Sequence, residues 1–546
     1  MTEASENVRT AAPHYHMAYV WAISLVAALG GLLFGYDWVV INGAKPFYEK
    51  YFHLATPFQE GWATSCALVG CLLGAILAGS FSDRYGRKRL LIFAAVLFVV
   101  TGVGVALAHD TQRLGGLAWF ALFRILGGMG IGLASNISPM YIAEVSPAEV
   151  RGKFVSLNQL TIVIGILLAQ YANYLIGTHG DVVDQRRIAA VAPVSDAGER
   201  PGIAREFLAR YGRQLKPDVV EAFLAQQGNG LTRDAVVEFL AGNDVNLPAS
   251  YGELADRRLT PWNEVEGWRW MFGAVTLPGA LFFLAMFFVP ESPRWLVKNG
   301  RDDLARAVLT KIGGPDFAGR EVAQIRATLV HEVGRVDFRE LFDPRMRTIL
   351  TLGVVLAVLQ QWCGINVIFY YADKVFLDAG YPVTEILLNI VILGSVNMAF
   401  TFVAIFTVDR LGRRRLMLLG ELGLAVLFAM LGAAYFFHAK GTPVLALVLT
   451  AMACYCCTLA PVTWVILSEI FPNRIRGAAM SVSVFALWVA CFLLSLSFPI
   501  FRDTIGPART FWIYSVICIL GFFFILARLP ETKGKTLEQI ERELVD

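Results

Sequence analysis

Two ionisable residues stand where the chain is otherwise suited to hydrocarbon. Asp37 closes Gly35-Tyr36-Asp37 inside an apolar run over about 18–43, and Arg124 lies inside another over about 117–137. Each sits six or seven residues from one end of its run, some ~9–11 Å deep at ~1.5 Å of rise per residue. A lone charge at that depth costs several kcal/mol, and an opposite charge is the usual relief. The two are expected to face each other. An acid beside an arginine is a proton switch: pairing favours the carboxylate, and separation in a dry site favours the acid. Asp37 is then the protonatable group and Arg124 its modulator. A static pair that only fixes packing is the plainer alternative.

A second set is polar but uncharged. Gln360, Gln361, Asn366 and Tyr370 fall within one apolar run, with Asn158 and Gln159 in another and Asn397 in a third. Amides so deep are costly unless they line a cavity. Trp464, Trp488 and Phe34 could supply flat apolar faces beside them. Several hydrogen-bonding groups and an aromatic face, contributed by different helices, suit a small hydroxylated solute. The competing reading is that such amides fasten helices together, at ~0.6–2 kcal/mol each.

These residues need helices to carry them. The chain has 546 residues, 56% hydrophobic and 17% charged, with mean hydropathy +0.56. Soluble domains average ~25% charged residues, so a soluble multidomain enzyme, a secreted disulfide scaffold and a disordered chain are excluded. Twelve runs are long enough to span a bilayer: roughly 18–43, 59–81, 90–109, 117–137, 154–177, 268–289, 348–372, 384–407, 416–437, 443–468, 477–501 and 510–528. Only helices satisfy their own backbone in lipid at that length, so the expected fold is an all-α membrane protein of twelve transmembrane helices. The eight cysteines all lie in apolar segments, which argues against disulfides and against a zinc site. The run Cys454/Cys456/Cys457 reads as helix filler. A net charge of +3 gives no reason to expect a nucleic-acid partner. No HExxH, GxSxG or Walker loop occurs, so neither an enzyme, a metal nor a cofactor is expected.

Lys and Arg crowd the loops after the second, fourth, eighth and tenth runs, which places those loops and both termini in the cytoplasm. The expected organisation is a tail at 1–17 and a six-helix bundle at 18–289, with an outer insert at 178–267. A cytoplasmic linker at 290–347, a second bundle at 348–528 and a tail at 529–546 follow. The linker shows helical patterns at Leu304–Ile312 and Val322–Val333. The insert shows short amphipathic stretches at Ala204–Leu215, Asp218–Gln227 and Arg233–Ala241. The two bundles repeat one another at an offset of about 325 residues: Asp83-Arg84-Tyr-Gly86-Arg87 resembles Asp409-Arg410-Leu-Gly412-Arg413, and Glu144 with Arg151 resembles Glu469 with Arg476. Parallel six-helix repeats describe halves that rock about a midplane site. Asp83, Arg84, Arg87, Glu144, Arg151, Glu291 and Arg294 of the first half could pair with Asp409, Arg410, Arg413, Glu469 and Arg476 of the second when the inner side is closed. Glu421 is expected at the interface, near Arg413–Arg415.

The motifs GSFSDRYGRKR at 79–89, PESPRW at 290–295, QQWCGINVIFYY at 360–371, DRLGRRR at 409–415, SEIFP at 468–472 and PETKGKT at 530–536, with Arg151-Gly152, resemble the sugar porter family of the major facilitator superfamily. The likeness extends to its proton-coupled xylose and hexose symporters and its facilitative glucose transporters, and covers nearly all of the chain outside about 180–262. It implies a secondary transporter importing a monosaccharide with a proton, and sugar-binding roles for Gln159, Gln360, Gln361, Asn366, Asn397, Trp464 and Trp488. Proton symporters of the family carry an acid at the Asp37 position. The short N-terminal tail and the short loop between the first two runs point to a bacterial plasma membrane, and a lipid-embedded monomer is expected. Leu487 and Cys491 depart from the amides that hexose and xylose porters usually carry there, and Ala460 and Ile166 also depart, so the sugar is left open. A uniporter, a polyol porter, or a sugar sensor of the same fold are the alternatives; sensors of the family carry long cytoplasmic extensions, whereas this chain ends about 18 residues after the last run.

Overall fold

The computed structural model describes residues 15–108, 115–147, 149–191, 208, 217–227, 239, 261–331, 343–471 and 476–531. Among them, twelve helical stretches are long and apolar enough to cross a membrane, and each overlaps one of the twelve predicted runs. In the first half these are α1 (Met17–Tyr51), α2 (Pro57–Tyr85), α3 (Arg87–Ala106), α4 (Gly116–Val145) and α5 (Arg151–Val191). α6 (Pro217–Gln227) belongs to the insert, and α7 (Trp268–Gly273) with α8 (Thr276–Phe288) makes the sixth crossing. α9 (Pro293–Lys298) and α10 (Asp302–His331) form the linker. The second half holds α11 (Pro344–Trp362), α12 (Ile365–Asp378), α13 (Val383–Leu411), α14 (Arg413–Phe436), α15 (Thr442–Cys457), α16 (Leu459–Ile470), α17 (Arg476–Ile505) and α18 (Pro507–Arg528).

Local chemistry explains the boundaries that matter. α2 starts at a capping box, with Thr56 accepting from the Gln59 N–H and Pro57 in the first turn. Gly86 and Gly412, at φ 92° and 91°, turn the chain between α2 and α3 and between α13 and α14. A carboxylate then sits at each following helix N-terminus, where it meets unpaired N–H groups. Glu291 accepts from the Arg87 N–H at 3.0 Å, and Glu531 accepts from the Arg413 N–H at 2.9 Å. The repeat seen in the sequence is thus a repeated structural device.

Residues 175–268 form a unit of their own. Within it α6 confirms the stretch expected at 218–227, Phe223 stacks on Phe239 at 4.0 Å, and Asp184 accepts from the Trp262 N–H at 2.9 Å. The stretches expected at 204–215 and 233–241 lie outside the described residues except for Leu208 and Phe239. The linker patterns at Leu304–Ile312 and Val322–Val333 both fall on α10, which breaks at Gly313 and Gly314; Val333 lies outside the described residues. So do residues 1–14 and 532–546.

The seventh crossing is two helices. Cys363 and Gly364 separate α11 from α12, with Gly364 at φ 91°. A side chain there would be strained and would put its Cβ 2.9 Å from Tyr514. Gly364→Ala is expected to lower the melting temperature of the detergent-solubilised protein by a few degrees. Gly152→Ala, where nothing lies within 4 Å, is expected to leave it unchanged; equal melting curves would contradict this account of the break.

Candidate functional site

A second helix breaks opposite the first. Pro461 has no N–H to offer the carbonyl of residue 457, and its ring crowds that carbonyl. The chain leaves helical geometry at Thr458 (φ −125°, ψ −88°), which separates α15 from α16. Tyr455 at the end of α15 and Gln360 near the end of α11 thereby meet, with the Gln360 amide donating to the Tyr455 hydroxyl at 2.6 Å. Gln361 donates to Gln360 Oε1, and Asn366 donates to Gln361 Oε1 at 2.5 Å. Four buried polar side chains form one chain of hydrogen bonds across the two breaks. Tyr455 was not anticipated; it is hidden within the cysteine-rich run taken as filler.

Aromatic rings continue this network into the first half. Phe369 lies edge-on to Tyr455 at 6.5 Å and stacks on Trp38 of α1 at 5.4 Å. Trp38 also meets Tyr370 edge-on at 5.9 Å and Phe34 at 5.5 Å, and Phe34 reaches Trp488 at 6.3 Å. The Trp38 indole N–H is buried without a hydrogen-bond partner. Trp38 was not among the anticipated residues, because in the sequence it reads as one more apolar residue. Of the anticipated residues, Gln360, Gln361, Asn366, Tyr370, Phe34 and Trp488 converge here. Asn397 is buried farther along α13, accepting from the Cys456 thiol at 3.0 Å. Gln159 and Trp464 are exposed and join no hydrogen bond of this network. Cys491 reaches the Tyr370 hydroxyl at 3.9 Å, a weak contact where relatives were expected to carry an amide.

Asp37 and Arg124 pair as anticipated. Arg124 Nη1 donates to Asp37 Oδ1 at 2.7 Å and Nη2 to the Asp37 carbonyl at 3.3 Å. Both residues are at most 1% exposed. The guanidinium lies 5.1 Å from the Phe272 ring centre. Asp37 Oδ2 has no hydrogen-bond partner, and Gly127 leaves the space beside it clear: a Cβ there would come within 2.9 Å. The acid is one residue from Trp38, which touches α12.

Ion pairs divide by side. On the side of the Arg-rich loops, here the inner side, they lie within each half. Arg87 donates to Glu144 at 3.0 Å, and Ser292 to the other oxygen of Glu144. Lys298 bonds Asp83 at 2.7 Å. Burial works against the Asp83 carboxylate, but Lys298 and Arg87 outweigh it and hold the group below the ordinary aspartate range. Arg413 bonds Glu469 at 3.2 Å, repeating Arg87 with Glu144. Arg84 lies over Tyr85, and Arg151 is exposed. Arg294 is half-buried on α9. The side chains of Asp409, Arg410 and Arg476 are outside those described. These described pairs lie inside each half; the pairing anticipated across the halves belongs to a closed inner side and is not tested by them. Glu421 departs from expectation. It is fully buried against Gly521 rather than beside Arg413–Arg415, because eight residues of helix, about 12 Å, exceed a side chain's reach.

On the opposite, outer side the pairs cross between halves. Lys374 of α12 bonds Glu49 of α1 at 2.6 Å and Glu60 of α2 at 3.3 Å. Lys45 of α1 donates to the Tyr370 carbonyl at 3.0 Å and lies 3.9 Å from Asp373. Asn42 accepts from the Asp373 N–H at 3.3 Å. Trp62 of α2 meets Phe492 of α17 at 6.5 Å. The outer ends are joined, a closure that no sequence signal announced.

Two six-helix halves in parallel repeat, with broken helices meeting at a buried polar network beside an intramembrane acid–arginine pair, define a secondary transporter of the major facilitator fold. The chain belongs to the sugar (and other) transporter family, whose model matches residues 23–191 and 254–544; it is a multi-pass membrane transporter and not an enzyme. The D-xylose-proton symporter of Escherichia coli (strain K12) is 34% identical over 552 residues, covering 96% of each chain. The arabinose-proton symporter of Bacillus subtilis (strain 168) is 32% identical, covering 99% of this chain and 98% of that one. The xylose transporter XylE from E. coli in an inward-open conformation superposes with a TM-score of 0.72 at 34% identity, over 96% of this chain and 100% of that one.

Tyr455→Phe removes the one acceptor that the Gln360 amide has among the described residues and leaves a buried donor unpaired, a loss of about 1–2 kcal/mol. Substrate KM is expected to rise about five- to thirtyfold with little change in maximal rate. Uptake kinetics in proteoliposomes check this; a fall in maximal rate at constant KM would place Tyr455 outside the binding network.

Proposed function

We propose that this chain imports a monosaccharide together with a proton, exposing one site alternately to the two sides of a bacterial plasma membrane. Asp37 carries the proton and Arg124 adjusts its release. The polar chain from Tyr455 to Asn366 holds the sugar hydroxyls, and Phe34, Tyr370, Trp488 and Trp38 pack on its apolar faces. Gln159, Asn397 and Trp464 come from α5, α13 and α16, and join the sugar when the halves close around it. The observation that carries this reading is the buried Asp37–Arg124 pair, one residue from a tryptophan that touches α12, the helix that carries Asn366 and follows the break beside Gln360 and Gln361. Protonating Asp37 frees Arg124 and loosens the tie of α1 to α4. Movement of α1 reaches α12 through Trp38. The proton-coupled names of the two relatives support the same coupling.

The halves of the inner charge network, Asp83, Arg84, Arg87, Glu144, Arg151, Glu291 and Arg294 against Asp409, Arg410, Arg413, Glu469 and Arg476, form the cytoplasmic gate when that side closes. The basic loops support cytoplasmic termini. One chain supplies a complete site, so a monomer suffices.

Asp37→Asn removes the proton-binding oxygen and keeps the shape. It is expected to retain counterflow of substrate but to lose accumulation driven by a pH gradient, at least tenfold. A variant that still concentrates substrate under an inward proton gradient would defeat the reading. The substrate panel is run in counterflow, with and without that gradient.

A further inference from the structure

The outer closure contains more acid than base. Lys45 and Glu49 on α1, Glu60 on α2, and Asp373 and Lys374 on α12 contribute three carboxyl groups against two ammonium groups. Their side chains are between 0% and 17% exposed, so water does little to spread the imbalance. Arg502 of α17 faces the same cluster, but Asp378 takes it in two bonds of 2.8 and 2.5 Å and Asp503 bonds it at 3.1 Å, so this group brings no surplus positive charge. Tyr48 of α1 is uncharged, and the Tyr371 hydroxyl donates to the Ser495 carbonyl at 2.5 Å. Lys45 is fixed by its bond to the Tyr370 carbonyl and by the Tyr371 ring, whose centre lies 3.2 Å from Nζ. Glu49 Oε1 and Asp373 Oδ1 are buried without hydrogen-bond partners. A buried cluster with one unbalanced carboxylate and two open acid oxygens has a place for one proton.

We infer that the closed outer gate is a proton-binding site in its own right, one proton being held among Glu49, Glu60 and Asp373 as a carboxylic O–H. The proton comes from water on the outer side as α12 closes on α1 and α2, and returns there when they part. It stabilises the closed gate without being carried across, so it is distinct from the proton assigned to Asp37. This inference rests on the alternating-access reading.

The test reads gate closure rather than transport. Spin labels are placed through non-canonical residues at the exposed positions Phe58 and Thr504, on α2 and α17, in the full chain in nanodiscs. Their distance distribution is recorded from pH 5 to 9. Because the closed state binds the extra proton, raising the pH is expected to shift the population from closed to open, by up to ~10-fold per pH unit for one proton. Asp373→Asn and Glu60→Gln each balance the cluster without the proton and are expected to stay closed across the range. Asp37→Asn is expected to keep the pH dependence. A native gate indifferent to pH, a native slope persisting in both Asp373→Asn and Glu60→Gln, or loss of the slope in Asp37→Asn would overturn the inference. If sugar uptake moves no proton while the gate still titrates, the symport reading fails and this one stands.

Discussion

A carboxylate and a guanidinium taken separately into a low-dielectric interior each incur an idealised penalty of order 20 kcal/mol, and several kcal/mol even after relaxation. Asp37 and Arg124 survive there because α1 and α4 hold them 2.7 Å apart, and that requirement disciplines the rest of the first half. The guanidinium uses one further bond on the Asp37 carbonyl and lies beside an aromatic ring. Asp37 keeps one oxygen unbonded. Such a pair cannot be ignored by the helices that carry it, since losing one partner strands the other at about 3–5 kcal/mol. It is therefore a place where a single proton would change how helices pack, and under the proposed coupling its position beside Trp38 would pass that change toward the polar network.

The remaining ion pairs describe which side is shut. Inner pairs such as Arg87 with Glu144 and Arg413 with Glu469 stay within their own halves and so do not resist separation of the halves. Outer pairs such as Lys374 with Glu49 and Glu60 cross the boundary and do resist it. The same charges can serve both arrangements only if partners are exchanged during rocking. Bundles that remain internally paired move as units, which lets a few bonds of moderate strength set the balance of a two-state equilibrium.

What could be read in advance depended on how local its cause was. The Asp37–Arg124 pair was legible because two charges at matched depth have few other solutions. The repeat of Asp83–Arg87 at Asp409–Arg413 was legible because it is written in residue types; that its glycines, Gly86 and Gly412, turn the chain shows only in the backbone. The outer cluster was not legible. The first and seventh runs were expected to end at 43 and 372, so Lys45, Glu49, Asp373 and Lys374 counted as loop residues, whereas the helices continue to Tyr51 and Asp378. Hydropathy ends a helix where charges begin, and here the charges satisfy one another across two helices. Tyr455 and Trp38 went unnoticed for a related reason: the Tyr455 hydroxyl meets Gln360, 95 residues away, and the Trp38 ring meets Phe369, more distant still in the chain. Glu421 was misplaced because its neighbourhood was judged by sequence distance instead of helical rise.

The polar network also bears on which solutes the site can accept. Gln360, Gln361, Asn366 and Tyr455 are already bonded to one another, so a sugar held there as proposed would replace those bonds rather than meet free groups. A hydroxyl in the right place exchanges one bond for another at little net cost, while a missing hydroxyl leaves a buried amide without a partner. Sites built this way discriminate strongly against the analogue that lacks a hydroxyl. On α17 the balance is reversed, because Leu487 and Cys491 offer nothing comparable and Trp488 and Phe34 line that side. A solute that suits both walls has its hydroxyls gathered along one edge and a C–H face on the other. A pyranose presents such faces, and under the proposed reading the position of its hydroxyls, more than their number, would decide how well it exchanges for the bonds of the α11–α12 break.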